Sequence, residues 1–227
     1  MFISTNSSKS TMRIILVGPP GCGKGTQAGH IVNYFDIEHV STGNMIRQEI
    51  AENTELGKHA KNIIDKGHFL SDDIIMGIVH NKLVSLKSKG ALFDGFPRTI
   101  PQAESFDEMG GVDIVFEIAV SDEEVIKRIS QRFMVELNHS QYTFKNKAEA
   151  EKFVSIRGGK LFHRKDDTPK IIQERLSIYH TQTKPLVDYY GKQHKLYIIN
   201  GEKSINLVWK DIRTILTAKG AKKKFPH

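Results

Sequence analysis

The residues best suited to do chemistry form one string, Gly18-Pro19-Pro20-Gly21-Cys22-Gly23-Lys24-Gly25-Thr26-Gln27, directly after the apolar run Arg13–Val17. Glycines let the backbone curl until successive N–H groups face one anion, and a helix opening at the end of the curl adds the positive end of its dipole. Lys24 supplies a point charge for the outer phosphates of a nucleotide. Gly21, Cys22, Gly23, Lys24, Gly25 and Thr26 are therefore the expected phosphate cradle. In the general G-x-x-x-x-G-K-[ST] pattern a hydroxyl follows the lysine; here Gly25 intervenes and the hydroxyl comes at Thr26, which suits a metal held through water rather than by the hydroxyl itself. A second candidate is Asp94, which ends the run Ala91-Leu92-Phe93. An acid at the C-terminal end of a buried strand beside such a cradle is placed to anchor Mg²⁺, through water.

These groups need a frame. Five short apolar runs, Arg13–Val17, Glu38–Val40, Ala91–Phe93, Ile114–Ala119 and Leu196–Ile199, are rich in β-branched and aromatic residues and lack polar alternation. Strands of a parallel sheet covered on both faces read this way. Helical patterns lie between them. Lys24–Phe35 follows the first strand, and Asp72–Lys89 sets Ile74, Ile75, Ile78, Val79, Leu83 and Leu86 on one stripe. Ser121 through Glu124 has the spacing of a capping box. Thr168 with Pro169 reads as an N-cap followed by proline at the first helical position, opening one helix that carries Ile172, Leu176, Tyr179, Leu186 and Tyr190. Strand–helix alternation predicts an open α/β sheet with helices on both faces and ligands at the strands' C-terminal ends. Ser41–Leu70 and Phe133–His163 fall outside the alternation and are too long for plain connections, so both are expected to be inserted subdomains.

Composition bounds the function. The 227 residues carry a formal charge of +7, with 26% charged and 39% hydrophobic residues, as in an ordinary globular protein. No apolar run approaches the ~18–20 residues of a membrane span. Cys22 stands alone, which excludes an intrachain disulfide and any structural zinc site built on several thiols, and suits a reducing compartment. Residues 1–12 have no apolar core of a secretory signal and are expected to be a flexible extension. Lys219, Lys222, Lys223 and Lys224 crowd the C-terminal end, and residues 219–227 are expected to be a solvated basic tail rather than a nucleic-acid or membrane anchor.

Four strings taken together resemble the adenylate kinase family of nucleoside monophosphate kinases: the glycine-rich string above, Ser41-Thr42-Gly43-Asn44-Met45-Ile46-Arg47, Asp94-Gly95-Phe96-Pro97-Arg98-Thr99-Ile100-Pro101-Gln102, and Arg164-Lys165-Asp166-Asp167 followed by Arg175 and Tyr179-His180-Thr181-Gln182-Thr183. The likeness runs over about residues 12–216. It implies a P-loop NTPase-type five-stranded parallel sheet with two insertions, and reversible Mg²⁺-dependent transfer of the terminal phosphoryl group of ATP to AMP, giving two ADP. The core would comprise 13–40, 71–131 and 168–218, with 41–70 as the monophosphate-binding flap and 132–167 as the lid. By position, Thr42, Arg47, His68, Phe69, Leu70, Gly95, Phe96, Pro97, Arg98 and Gln102 would hold AMP, assisted by Arg164 and Arg175. Arg128, Gln141, Tyr142 and the backbone of Lys203 would lie at the donor base, and Arg132, Arg164 and Arg175 would clamp the transferring group with Lys24 and Arg98.

The chemistry agrees with that assignment. Phosphoryl transfer needs two phosphates in line and their charge neutralised, and guanidinium groups make bidentate contacts without losing their proton. The nucleophile is already an anionic phosphate oxygen, so Asp166 and Asp167 are expected to anchor lid arginines rather than to act as bases. The amide of Gln102 suits the adenine edge, which presents a donor and an acceptor. The sequence departs from its relatives mainly in the lid, whose interior from Asn138 to Val154 has no proline and no cysteine; His139 and His163 alone do not make a zinc site. Asn44 replaces a frequent acid, and His68 stands where lysine is common. The donor base is the open point, with GTP as the alternative to ATP. The rival readings are a nucleotide-binding module that has lost turnover, a pyrimidine monophosphate kinase, and a basic RNA- or membrane-associated protein. The resemblance favours a monomer acting in the cytoplasm, with the mitochondrion as alternative.

Overall fold

A computed structural model describes residues 12–65, 70–86, 89–137, 140–163 and 167–224. A parallel sheet of five strands forms its centre, β1 (Arg13–Val17), β2 (Ile37–Ser41), β3 (Gly90–Asp94), β4 (Ile114–Ala119) and, further along the chain, β8 (Leu196–Asn200). Their order is β2-β3-β1-β4-β8, and every pairing is parallel. The expected strands match within one residue at each end, because a strand buried on both faces is apolar throughout.

Alternate residues feed two cores. Ile15, Val17, Val40, Phe93 and Val115 pack with Val79 and Leu86 of α4 (Asp72–Leu86), Phe106 of α5 (Ile100–Glu108), and Leu186 and Tyr190 of α9 (Pro185–Lys192). Ile14, Leu16, Leu92, Ile114 and Phe116 face the other way, onto Ile31 of α1 (Lys24–Tyr34) and Val208, Ile212 and Leu216 of α10 (Ile205–Ala218). At about 1.5–3 kcal/mol for each large side chain fully buried, these two layers hold the strand ends in fixed register. Phe93, Phe96 and Phe106 meet edge-to-face or tilted, with centroids 4.9–6.2 Å apart, and fix the segment that follows β3.

The segment 41–70 carries α2 (Thr42–Ala51) and α3 (Glu55–Asp65). Beyond α6 (Asp122–Gln131) the chain builds a small antiparallel sheet in the order β6-β5-β7, from β5 (Phe133–Leu137), β6 (Ser140–Phe144) and β7 (Lys160–Phe162), with α7 (Lys147–Arg157) packed on it. Met134, Val135 and Ala150 are its buried centre. Among the described residues no group of His, Cys, Asp and Glu could hold a metal, and the His163 ring packs on Phe133 with centroids 4.2 Å apart. His139 lies outside the described residues.

Three local expectations are corrected. Ser121 does not form a capping box with Glu124. Its amide and hydroxyl instead donate to Glu202 Oε1 at 3.0 and 2.7 Å, while Glu124 accepts from Arg128 Nε at 2.8 Å. A carboxylate brought from the far loop by the tertiary fold thus fills the role given to Glu124. The helix from Thr168 is also not continuous. α8 (Pro169–Ile178), capped by Thr168, passes into a π-helical turn at Tyr179–Thr183 before α9. Pro185 has no N–H to continue the regular ladder, and the Lys184 amide reaches back five residues to Tyr179 O at 2.8 Å. Finally, the basic tail is not free along its described length. Asp36 N–H donates to Lys222 O and Lys224 N–H to Tyr34 O, each at 2.9 Å, and Lys223 lies over the Tyr34 ring.

Candidate functional site

The glycine-rich string turns from the C-terminal end of β1 into α1. Gly21 has φ +75°, and a Cβ there would meet Ile129 Cγ1 at 2.6 Å, so only glycine lets the turn lie against α6. Gly23, at φ +106°, stands at the N-cap, and no side chain caps α1. The first helical hydrogen bond is Gln27 N–H to Gly23 O at 3.0 Å, and the first turn holds no acid. The N-terminal amides and the dipole thus face outward together, beside exposed Gly25 and Thr26. Lys24 Nζ reaches back over the turn and donates to Gly18 O at 2.6 Å and Pro19 O at 2.9 Å.

The ends of β2 and β3 bring up the next groups. Asp94 closes β3 with a 20% exposed side chain, and His39 Nε2 on β2 stands 3.5 Å from its Oδ2. Burial works to raise the Asp94 carboxyl, but the adjoining His39 ring and the positive charges of Lys24 and Arg98 outweigh it and hold the group below the ordinary carboxylate range. Past Asp94, Arg98 Nε donates to Gly95 O at 2.9 Å. Arg98 is exposed as a residue, yet its head sits among enough protein that desolvation lowers its pKa; the Asp94 carboxylate opposes that, and the neighbouring Arg175 cation adds to it. Buried Thr42, at the start of α2, donates through Oγ1 to Gly95 O at 3.2 Å. Gln102 Oε1 accepts from Arg98 N–H at 2.8 Å, and its Nε2 donates to Asp72 at 2.6 Å. Arg47 on α2 donates to Asn44 Oδ1. The cradle, Asp94, Thr42, Gly95–Arg98 and Gln102 therefore meet at one edge of the sheet, the C-terminal ends of β1, β2 and β3, where ligands of open α/β sheets bind.

A profile described as adenylate kinase matches residues 16–195. The adenylate kinase of Methanosarcina barkeri is 42% identical over 211 residues, covering 90% of this chain and 98% of that protein. That of Brevibacillus brevis is 42% identical over 212 residues, with 90% and 99% covered, and that of Methanothrix thermoacetophila 40% over 212 residues, with 91% and 99% covered. The chain belongs to the adenylate kinase family. Each match takes in about nine-tenths of this chain and nearly the whole of the relative, so the likeness extends well beyond the glycine-rich string.

Within this adenylate kinase fold the remaining expected residues divide. Arg132, at the junction of α6 and β5, lies in a bidentate pair with Asp167: Nε to Oδ2 at 2.6 Å and Nη2 to Oδ1 at 2.5 Å, with the side chains 13% and 6% exposed. Arg128 is held on three sides, by Glu124, by Cys22 O at 3.5 Å and by Gly201 O at 3.0 Å, so it links the cradle to the loop that carries Lys203. Lys203 turns its side chain to Asp211 at 2.8 Å. Tyr142, 40% exposed, meets Phe153 of α7 rather than the cradle, with the rings tilted and their centroids 4.9 Å apart. Arg164, Asp166, His68 and Phe69 lie outside the described residues, as does the side chain of Gln141, and of the segment 68–70 only Leu70 is placed.

Sequence reasoning missed three supports of the adenylate kinase site. His39 flanks Asp94, and Asp72 holds Gln102 and, through Thr99 Oγ1 at 3.1 Å, the N-cap of α5. Glu117, with a 3% exposed side chain in the middle of β4, takes a hydrogen bond from Lys184 Nζ at 2.6 Å. Burial and this carboxylate push the Tyr179 phenol well above its ordinary value. The signal for Glu117 was readable, since an acid inside the run Ile114–Ala119 demands a cation from elsewhere.

Proposed function

We propose that this chain catalyses reversible transfer of the terminal phosphoryl group of ATP to AMP, giving two ADP, with the residues named above in their expected roles. The observation that carries this reading is the convergence of Arg98, Arg175 and Asp94 beside the cradle, at the strand ends that also hold Thr42 and Gln102. The amides of residues 21–26 and Lys24 hold the donor's phosphates, while Thr42, Arg47, Leu70, Gly95–Arg98 and Gln102, with His68 and Phe69, hold AMP. Arg98, Arg132, Arg164 and Arg175 neutralise the equatorial oxygens of the transferring group and keep the two phosphates aligned. The attacking oxygen is anionic, so no protein base is required, and Asp167, with Asp166, serves to fix arginines. Segment 41–70 acts as the flap and 132–167 as the lid; Arg128, Tyr142, Gln141 and Lys203 line the donor side. Closure of both insertions excludes water, so that the phosphoryl group passes to AMP rather than to solvent.

A Mg²⁺ ion fits the groups present. Asp94 is kept ionised beside the cradle, and Mg²⁺ retains several waters and takes one or two carboxylates together with substrate phosphates. Asp94 would hold it through water, near Thr26, and the ion would draw charge from the donor's outer phosphates. Among the described residues no helix is long and apolar enough to cross a membrane. The protein is read as a monomer without a nucleic-acid partner, acting in the cytoplasm, with the mitochondrion as alternative.

The test mixes protein, Mg²⁺ and AMP with ATP, GTP, CTP or UTP and follows ADP formation. ATP is expected to be the preferred donor. Preference for GTP would reassign the donor site, and no ADP with any donor would reduce the protein to a nucleotide-binding module.

A further inference from the structure

Gln102 is 5% exposed, and both ends of its amide are already committed to protein partners. Its Nε2 donates to Asp72 Oδ1 at 2.6 Å, and its Oε1 accepts from the Arg98 amide at 2.8 Å. The other Asp72 oxygen accepts from Thr99 Oγ1 at 3.1 Å, and Thr99 Oγ1 accepts in turn from Gln102 N–H at 3.3 Å. A carboxylate only accepts and a backbone N–H only donates. The reversed amide would set an oxygen against a carboxylate and an NH₂ against an N–H, with little room for water to relieve either conflict. One amide orientation is thereby enforced, with one N–H and one oxygen lone pair left over.

We propose that Asp72 is a specificity-determining positioning residue: by locking the orientation of the Gln102 amide it sets the order in which that amide offers donor and acceptor to the base of the monophosphate, and so favours a 6-aminopurine over a 6-oxopurine. Adenine presents a 6-amino donor beside the N1 acceptor. Hypoxanthine presents a 6-oxo acceptor beside an N1–H donor, the reverse order. An amide free to turn over meets either base, whereas one held by Asp72 and Arg98 N–H meets one base and confronts the other. Asp72 needs no contact with the nucleotide to do this. The inference rests on the placement of Gln102 at the AMP base.

The experiment compares kcat/KM for AMP and for IMP, with ATP as donor, in the wild type, Gln102→Leu and Asp72→Asn, together with the melting temperature of each. Gln102→Leu is expected to collapse the AMP:IMP ratio. Asp72→Asn keeps the shape but offers either an NH₂ or a carbonyl to Gln102, and is expected to narrow the ratio by about tenfold, the equivalent of one misdirected hydrogen bond. Should Asp72→Asn not fold, Thr99→Val loosens the same carboxylate, and its ratio is expected to narrow in the same direction. A ratio that Gln102→Leu changes and the Asp72 or Thr99 variant does not would overturn the role of Asp72 alone. Equal losses of kcat/KM for both nucleotides would also overturn it, since a purely structural support would act that way. A ratio untouched by Gln102→Leu would remove Gln102 from the base site and the inference with it.

Discussion

Replacing Asp167 by asparagine tests the arginine arrangement where the structure holds it most tightly. The two Asp167 oxygens take hydrogen bonds of 2.6 and 2.5 Å from Arg132, and the two side chains are 6% and 13% exposed. The amide has the same shape, but it keeps one acceptor, loses the charge and turns an NH₂ toward the guanidinium. A hydrogen bond to a charged group contributes roughly 1.5–3 kcal/mol, and stranding a buried charge completely costs about 3–5 kcal/mol. With one acceptor retained, the loss is about 2–4 kcal/mol. At roughly 2–4 °C per kcal/mol for a chain of this length, the melting midpoint is expected to fall by about 4–16 °C. The same loosening lets Arg132 leave the position proposed for it, so kcat is expected to fall about 10–100-fold, at roughly 1.4 kcal/mol per tenfold, with a smaller change in KM for AMP. Thermal unfolding without nucleotide and a coupled ADP assay read the two quantities separately. The control is Glu55→Gln, which breaks an i,i+3 pair with Lys58 whose acid is 92% exposed; it is expected to shift the midpoint by less than about 1 °C. A midpoint for Asp167→Asn within about 2 °C of the wild type and a kcat within about twofold would refute the reasoning, because a pair that buried cannot be both real and inconsequential.

Arg98→Ala removes the guanidinium that feels the charges of both Asp94 and Arg175 and is expected to lower kcat by about 10³-fold, the lower end of what a transition-state arginine supplies; a steady-state loss below about tenfold would discard the assignment. Lys184→Met leaves the buried Glu117 carboxylate without its cation and is expected to destabilise the fold by about 3 kcal/mol in urea unfolding, with Glu117→Gln on the same chain recovering part of that loss. Asp94 titrates below its unfolded value of 3.8, so its stabilisation is complete above that value and is lost as pH falls through the folded one. The stability difference between wild type and Asp94→Asn is accordingly expected to shrink on acidification below about pH 4, and a difference that instead grew would reverse the sign of the linkage.

What could be read from the residues alone was whatever depends on local order. The five central strands announce themselves as unbroken apolar runs, the cradle by its glycines, and α8 by Thr168-Pro169, whose hydroxyl accepts from Ile171 N–H at 3.4 Å. What escaped depends on partners far along the chain. Ser121 has a suitable glutamate three residues on, yet Glu202 reaches it first. Asp72 looks like one more acid at the start of a helix, and nothing nearby in sequence shows that Gln102 and Thr99 close on it. The strands β5 and β6 mix Glu136 and Thr143 with apolar residues, and much of their surface is exposed, so their period is weak. The tail shows only its lysine side chains in the sequence, while its docking on residues 34–36 runs through the backbone.

The cations of the site fall into two electrostatic kinds, and the difference bears on how it handles phosphate. Lys24 and Arg98 are held chiefly by neutral carbonyl oxygens, those of Gly18, Pro19 and Gly95. A carbonyl orients a cation without cancelling its charge, so these two keep a full positive field directed at an incoming polyanion. Asp94 offsets that field only in part, and Arg98 still feels Arg175 as a like charge. Arg132 and Arg128, in contrast, are paired with the carboxylates Asp167 and Glu124, which fix their positions and take up much of their charge. Cations of the first kind gain most when phosphate arrives, because it relieves repulsion already present in the fold. Of the second kind, Arg128 stays on α6 against the cradle, whereas Arg132, at the entry to the proposed lid, gains mainly if closure carries it, already aimed, against a phosphate that the first kind has bound. The division predicts an order of action: Lys24 and Arg98 govern binding from the open state, and Arg132 acts on closure.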